Sequence, residues 1–223
     1  MDRISIILAE DHVVVRESIR RFLDRQPDLC VIGEAGDGEE AVRLVTALKP
    51  NVLIMDIAMP KLNGIEATKM VKAACPSTAV LVLTAYDYDQ YIFAVLESGA
   101  AGYLLKDVSG QELIDAIRAV RRGDSALHPA VARKLLARFR KPEAGHEDGN
   151  ASSLFTDKEL EVLKRAAKGM SNKDIAQELA LSVRTVEAHL TSLFNKLNVS
   201  SRTELVVSAL KKGLVALDDI PLK

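Results

Sequence analysis

Five side chains stand where chemistry could use them. Glu10-Asp11 follow one short apolar run, Asp56 follows another, Thr84 closes a third and Lys106 a fourth. Brought together, the three carboxylates would repel. Two like charges ~4 Å apart cost about 4 kcal/mol at an effective dielectric of ~20, so a proton or a cation must relieve them. An all-oxygen site with room for water and a phosphate suits Mg2+ better than zinc or a dedicated calcium cage. Such a metal would neutralise an incoming phosphoryl group and let the Asp56 carboxylate, otherwise a poor nucleophile, attack phosphorus. The Thr84 hydroxyl could hydrogen-bond a phosphoryl oxygen, and the Lys106 ammonium could pair with the same phosphate. Tyr103, three residues earlier, is an aromatic with a polar tip, suited to a buried or an exposed position. Taken singly, each has a plainer reading: Asp11 as a helix N-cap, Lys106 as a solvated charge, Thr84 as a strand residue.

What could bring them together is the pattern of residues 1–123. Continuous apolar runs at 4–8, 30–34, 52–55, 80–83 and 102–105 have the character of strands buried on both faces. Helical stretches near 13–26, 38–48, 63–74, 87–98 and 110–122 separate them, the last opened by Ser109 three residues before Glu112, a capping-box pattern. A βα unit repeated five times predicts a doubly wound, five-stranded parallel sheet of α/β class. In the flavodoxin-like order 2-1-3-4-5 the first and third strands flank the switch point, and ligands bind beyond their carboxyl ends. The acids, Thr84 and Lys106 all fall at those ends.

Residues 124–153 break the pattern. A helix is expected at 129–140, with Pro129 at its first position and Val131, Leu135, Leu136 and Phe139 on one side, and 141–153 reads as a flexible linker. Residues 154–217 then form an all-α module. Thr156 with Glu159, Ser171 with Asp174, and Ser201 with Glu204 mark helix starts, and Ser182 can cap a fourth helix. The helix near 183–197 has Val183, Val186, Leu190, Leu193, Phe194 and Leu197 on one face and Arg184, Glu187, Ala188, Thr191, Asn195 and Lys196 on the other. Two short helices joined by the turn at Leu181-Ser182 suit a helix-turn-helix, whose second helix enters the major groove. On periodicity alone a plain four-helix bundle fits as well.

Composition narrows the classes. Hydrophobic residues are 48% and charged residues 27%, as in soluble globular proteins and unlike disordered ones. Runs such as 4–9 and 79–83 are too short to span a bilayer, so no membrane partner is expected. Cys30 and Cys75 are too few for a disulfide framework or zinc site, and the chain opens on Asp2-Arg3 without a cleavable signal pattern. A reduced, cytoplasmic setting is expected. Residues 1–151 carry 22 acids and 19 bases (−3), and 152–223 carry 9 acids and 11 bases (+2), a mild asymmetry that permits nucleic-acid binding by the second part without establishing it.

Glu10-Asp11, the run Met55-Asp56-Ile57-Ala58-Met59-Pro60 with Gly64, then Thr84, and Gly102-Tyr103 with Lys106 together resemble the signature of response-regulator receiver domains, over residues 3–123. The resemblance implies that Asp56 is the phosphoacceptor; that Glu10, Asp11, Asp56 and the Ala58 carbonyl hold Mg2+; that Thr84 and Lys106 read the phosphoryl group; and that Tyr103 is a switch aromatic. Where many receivers have two Asp residues this chain has Glu10-Asp11, which bears on whether the first acid reaches the metal through water. In the second half, Leu154-Phe155-Thr156, Glu159, Glu161-Val162-Leu163, Gly169, Ser171-Asn172-Lys173-Asp174-Ile175-Ala176, Leu181-Ser182, Thr185-Val186, His189, Lys196-Leu197 and Arg202-Thr203 resemble the LuxR-type helix-turn-helix domain. The whole is similar to the NarL/FixJ family of transcription regulators. That resemblance implies a sensor histidine kinase as phosphodonor, double-stranded promoter DNA as ligand, a homodimer formed on phosphorylation or DNA binding, and RNA polymerase as a candidate partner. Carried over to this chain, Glu187, Ala188 and Thr191 face base edges, while Lys173, Thr185, Lys196 and Arg202 lie near phosphates, with Arg184 beside them. Many relatives have Lys where this chain has Glu187. His189 and His12 are expected to be structural or solvated.

Three other readings stay open. A phosphatase would use the same Asp and Mg2+, but the haloacid-dehalogenase type needs a second acid two residues on, where this chain has Ala58. A receiver acting by protein contact alone, with the helical module for dimerisation, is separable by gel shift. A phosphorylation-independent pseudo-receiver is disfavoured because no pocket residue is missing.

Overall fold

The computed structural model describes residues 3–140 and 155–215, without the side chains of Gln90 and 138–140. The expected linker 141–153, Leu154, the Phe139 side chain and 216–217 therefore lie outside the described residues. The chain divides between Val131 and Ala132 into two compact units.

In the first unit, strands β1 (Ile4–Ala9), β2 (Leu29–Ala35), β3 (Val52–Met55), β4 (Ala79–Thr84), β5 (Gly102–Leu105) and β6 (Ala126–Leu127) alternate with helices α1 (Val13–Leu23), α2 (Gly38–Leu48), α3 (Gly64–Ala74), α4 (Asp89–Glu97) and α5 (Gly110–Arg121). All pairings are parallel, in the order β2-β1-β3-β4-β5-β6. The sheet is thus doubly wound as expected, with one strand more. The two-residue β6 is too short to show a period, and it carries the sheet to Leu127, past the expected limit at 123. The strands bury both faces. Ile6, Leu8, Val52, Ile54, Leu81, Leu83 and Leu104 pack with Leu23 of α1 and with Leu113, Ile114 and Ile117 of α5. The alternate residues Ile7, Leu53, Met55, Val80 and Val82 are buried as well, while α2 and α3 contact each other and α4 follows α3. Continuous Val/Ile/Leu runs are the sequence image of that double burial.

Local chemistry sets the helix starts. The Asp37 side chain accepts from Glu40 N, and Asn63 accepts from both Ile65 N and Glu66 N. Ser109 and Glu112 form the full capping box that the sequence predicts. The α1 N-cap is His12, with no side-chain capping bond. Asp11 is therefore not a cap, which removes its plainer reading.

Helix α6 (Pro129–Arg140) starts at the expected proline. The second unit holds α7 (Asp157–Ala167), α8 (Asn172–Glu178), α9 (Val183–Leu197) and α10 (Arg202–Lys211). Thr156/Glu159 and Ser171/Asp174 make capping boxes, Ser182 caps Thr185 N, and Ser201 caps Glu204 N. The core joins Val162, Leu163 and Ala166 of α7, Ile175 and Ala176 of α8, Val186, Leu190 and Leu193 of α9, and Leu205 and Ala209 of α10. Val183, expected on that core face, is 42% exposed. It sits at the helix's first turn, before the apolar stripe meets its neighbours.

Candidate functional site

At the carboxyl ends of β1, β3 and β5 the chain builds a charged pocket. Lys106 Nζ lies 2.6 Å from Asp56 Oδ2 and 2.7 Å from Glu10 Oε2. The two carboxylates are only 4% and 2% exposed, so the like charges predicted to repel are bridged by one ammonium. Burial opposes the Lys106 charge, but the hydrogen bonds it donates to Asp56 and Glu10 outweigh it and hold its pKa above the ordinary lysine value. Asp56 Oδ1 accepts from Ile57 N at 2.6 Å, which fixes the carboxylate plane. Glu10 Oε1 accepts from His12 N at 3.2 Å.

Glycine shapes the loop beyond Asp56. A Cβ on Gly64 would collide with the Asp56 carbonyl oxygen and stand 2.9 Å from Ile57 Cα. Gly64 N donates to Ile57 O at 2.9 Å. Only glycine lets α3 begin this close to the acidic strand end. Ala58, at the tip, is exposed.

Asp11 and His12 complete the rim. Ligand atoms of Glu10, Asp11 and His12 lie within 4.8 Å of one another, with His12 exposed. Asp11 Oδ1 is buried and accepts no hydrogen bond among the described residues, although His12 Nδ1 is 2.8 Å away. An oxygen without a donor, beside further carboxylates, fits a hard cation such as Mg2+. Glu10 already serves His12 and Lys106, and Asp56 serves Ile57 N and Lys106, so Asp11 is the freest of the three expected acidic ligands. Arg16, missed at the sequence level, donates from Nη1 to the Glu10 carbonyl at 2.5 Å. Its position one turn into α1, facing the acid pair, was the signal available.

Thr84 is fully buried at the end of β4, and its Oγ1 lies 3.5 Å from Tyr86 N. Tyr103 is also fully buried and donates its phenol proton to the Tyr86 carbonyl at 2.7 Å. Burial, with the charges of Asp87 and Asp56 adding to it, raises the phenol well above its ordinary pKa, so the proton stays available for that bond. Thr84 and Tyr103 therefore hold the same residue, Tyr86, which leads the loop into α4.

In the helical unit, Arg184, Glu187, Ala188, Thr191 and Asn195 form an exposed stripe on α9, and Lys173 is exposed on α8. Thr185 is half-buried, its Oγ1 2.7 Å from Ser182 Oγ. One expected phosphate contact needs correction, and a second is also bound within the domain. Arg202 is 4% exposed and donates to Asn172 Oδ1 at 2.9 Å and to the Met170 carbonyl. It clamps α10 to the start of α8, because a buried guanidinium must have acceptors. Lys196 Nζ is bound to both oxygens of Glu159, at 2.8 and 2.6 Å, and lies 5.7 Å from the centre of the Phe155 ring. Ser192 Oγ adds a bond to Glu159 at 2.6 Å. Burial raises the Glu159 carboxyl, but donors from Lys196, Ser192 and Thr156 overcome it and hold its pKa at about 2.

No helix among the described residues is long and apolar enough to cross a membrane. Cys75 is buried and Cys30 half-buried, both free thiols.

Residues 6–118 match the response regulator receiver domain family, and residues 153–209 match the luxR family of bacterial regulatory proteins. Over 214 residues the chain is 42% identical to the transcriptional regulatory protein LiaR of Bacillus subtilis strain 168, covering 95% of this chain and 99% of that one. Identity is also 42% over 215 residues to the oxygen regulatory protein NreC of Staphylococcus carnosus strain TM300, covering 94% and 98%. Among solved structures it is similar to RcsB of Salmonella enterica serovar Typhimurium bound to promoter rprA with a phosphomimetic, at 28% identity and a TM-score of 0.53, covering 93% and 98%. Such proteins are regulators rather than enzymes in the usual sense. The chain belongs to the NarL/FixJ family of two-component response regulators, DNA-binding proteins that control transcription.

Proposed function

We propose that residues 1–123 act as the receiver, 124–153 as the linker and 154–217 as the DNA-binding domain, with Asp56 the phosphoacceptor that a sensor histidine kinase loads. The observation that supports this best is the Lys106 bridge between Asp56 and Glu10 at neighbouring strand ends. Mg2+, held by Asp11, Asp56 and the Ala58 carbonyl, with Glu10 direct or through water, would neutralise the incoming phosphoryl oxygens. This chain's residues do the rest. The Ile57 amide orients Asp56 Oδ1, a carboxylate oxygen bonds phosphorus as the bond to the donor's imidazole nitrogen breaks, and Lys106 exchanges a carboxylate partner for a phosphoryl oxygen. Phosphorylation adds about −1.5 to −2 of local charge by analogy with other phosphorylated side chains. Thr84 and Lys106 move toward it, and Tyr103, which shares Tyr86 with Thr84, relays the change to the β4–α4 loop.

The output is DNA binding as a homodimer in the cytoplasm. Lys173, Arg184 and Thr185 contact phosphates, and Glu187, Ala188 and Thr191 face base edges. A two-fold target follows from a two-fold protein, and RNA polymerase is the partner through which promoter occupancy acts. Gel shift with acetyl phosphate and Mg2+ tests the coupling. Wild type gains affinity for promoter fragments while Asp56→Ala does not; equal affinity for the variant and the phosphorylated wild type overturns the switch.

A further inference from the structure

The outward stripe of α9 carries an anion where a polyanion must dock. Glu187 is exposed, and among the described residues no cation lies within ion-pair distance of its carboxylate. Two cations of the domain are engaged elsewhere, Lys196 on Glu159 and Arg202 on Asn172 and Met170, while the exposed Arg184, one turn before Glu187 on the same helix, makes no ion pair with it. One helical turn on, Thr191 donates its hydroxyl proton to the Glu187 carbonyl at 2.9 Å. The donor of Thr191 is thereby used internally, leaving its methyl and an oxygen lone pair for a ligand. Ala188 beside it offers only a methyl. The middle of the reading face thus presents a carboxylate and methyl groups, with donors at its two ends, Arg184 and Asn195.

We infer that Glu187 is the specificity-determining residue of the DNA interface and selects a cytosine in each operator half-site by accepting a hydrogen bond from its N4 amino group. This rests on the DNA-reading role proposed above for α9. In the major groove guanine offers only the acceptors N7 and O6, and thymine an acceptor and a methyl. A carboxylate meets repulsion at both. Adenine offers N6–H beside the acceptor N7, so a second carboxylate oxygen there faces a lone pair. Cytosine offers the amino group without a neighbouring acceptor on its own edge. Against phosphates the unneutralised charge lowers affinity for duplex in general, so Glu187 acts by rejecting non-cognate sequence as well as by recognising its own. The methyls of Ala188 and Thr191 favour thymine at adjoining steps.

The test is selection from random duplexes by the full chain, incubated with acetyl phosphate and Mg2+, in wild-type, Glu187→Gln and Glu187→Ala forms. Substitution at an exposed position leaves the fold in place, which thermal melts of the three proteins confirm. Wild type enriches a two-fold motif with an invariant cytosine in each half. Replacing that cytosine lowers wild-type affinity about tenfold and Glu187→Ala affinity less than twofold, while both variants bind random duplex severalfold more tightly than wild type. If wild type enriches a motif whose base preferences survive intact in Glu187→Ala, or whose Glu187-dependent base is not cytosine, the inference is overturned and DNA binding stands. If no duplex is enriched by wild type, the DNA-reading role of α9 falls, and this inference with it.

Discussion

Lys196 and Glu159 stand 37 residues apart in sequence, yet the Lys196 ammonium lies 2.6 Å from Glu159 Oε2. The pair ties the last turn of α9 to the first turn of α7, whose N-cap Thr156 the same carboxylate also serves. The residue expected near a phosphate is thus also an internal strut between α7 and α9.

This pair sets an acid limit for the helical domain. The Glu159 carboxyl is held at about 2, below the ordinary value of about 4.3. A carboxyl depressed on folding adds stability that is fully present above its unfolded pKa and lost as pH falls through the folded one. The helical domain should therefore weaken as pH drops from about 4.5 toward 2. Glu159→Gln should lower its stability at pH 7 by about 1–2 kcal/mol, because the charge-assisted bonds to the buried carboxylate are lost while the exposed Lys196 can turn to water, and should flatten that acid limb. Denaturant melts followed by helical circular dichroism check both. An unchanged pH profile in the variant would show that Glu159 does not set the limit.

The loop after Asp56 depends on Gly64. An alanine there must displace the Asp56 carbonyl or the Ile57 backbone. Gly64→Ala is expected to destabilise the receiver by about 1–3 kcal/mol and to slow phosphorylation by acetyl phosphate at least tenfold, since the nucleophile's own backbone moves. Melting and phosphorylation rates, measured below the melting range, separate the two effects. A variant that melts early yet phosphorylates at the wild-type rate would contradict the positioning role.

Lys106 neutralises the pocket before any metal arrives. Lys106→Ala leaves Asp56 and Glu10 facing each other without a cation, so the Mg2+-free protein should lose stability. Mg2+ should bind about tenfold more tightly once the competing positive charge is gone. Thermal shift against Mg2+ concentration reads both changes. Weaker Mg2+ binding in the variant would mean that the ammonium assists the metal rather than competing with it.

The receiver fold was legible because β1, β3, β4 and β5 are buried on both faces, so each registers as an unbroken apolar run. The pocket was legible because parallel topology places every strand's last residue at one edge. Helix starts at Thr156, Ser171 and Ser109 were legible as capping boxes. What stayed hidden needs long-range geometry. Helical spacing puts Lys196 on the polar face of α9 without revealing Glu159 beside it. It cannot tell that Arg202 turns inward to Asn172, 30 residues back. The two residues of β6 add no pattern, and the place of Arg16 one turn into α1 hints at the acid pair without revealing that its partner is a backbone carbonyl.

Chemical analysis of the phosphorylated protein tests the central claim most directly. Supplied with a small phosphodonor or a cognate kinase, wild type should gain one phosphate per chain only when Mg2+ is present. The phosphate should be released by hydroxylamine as an acyl phosphate, map to Asp56 by borohydride reduction and mass spectrometry, and be missing from Asp56→Asn. Phosphate that forms without Mg2+, resists hydroxylamine or maps to another residue would contradict the account.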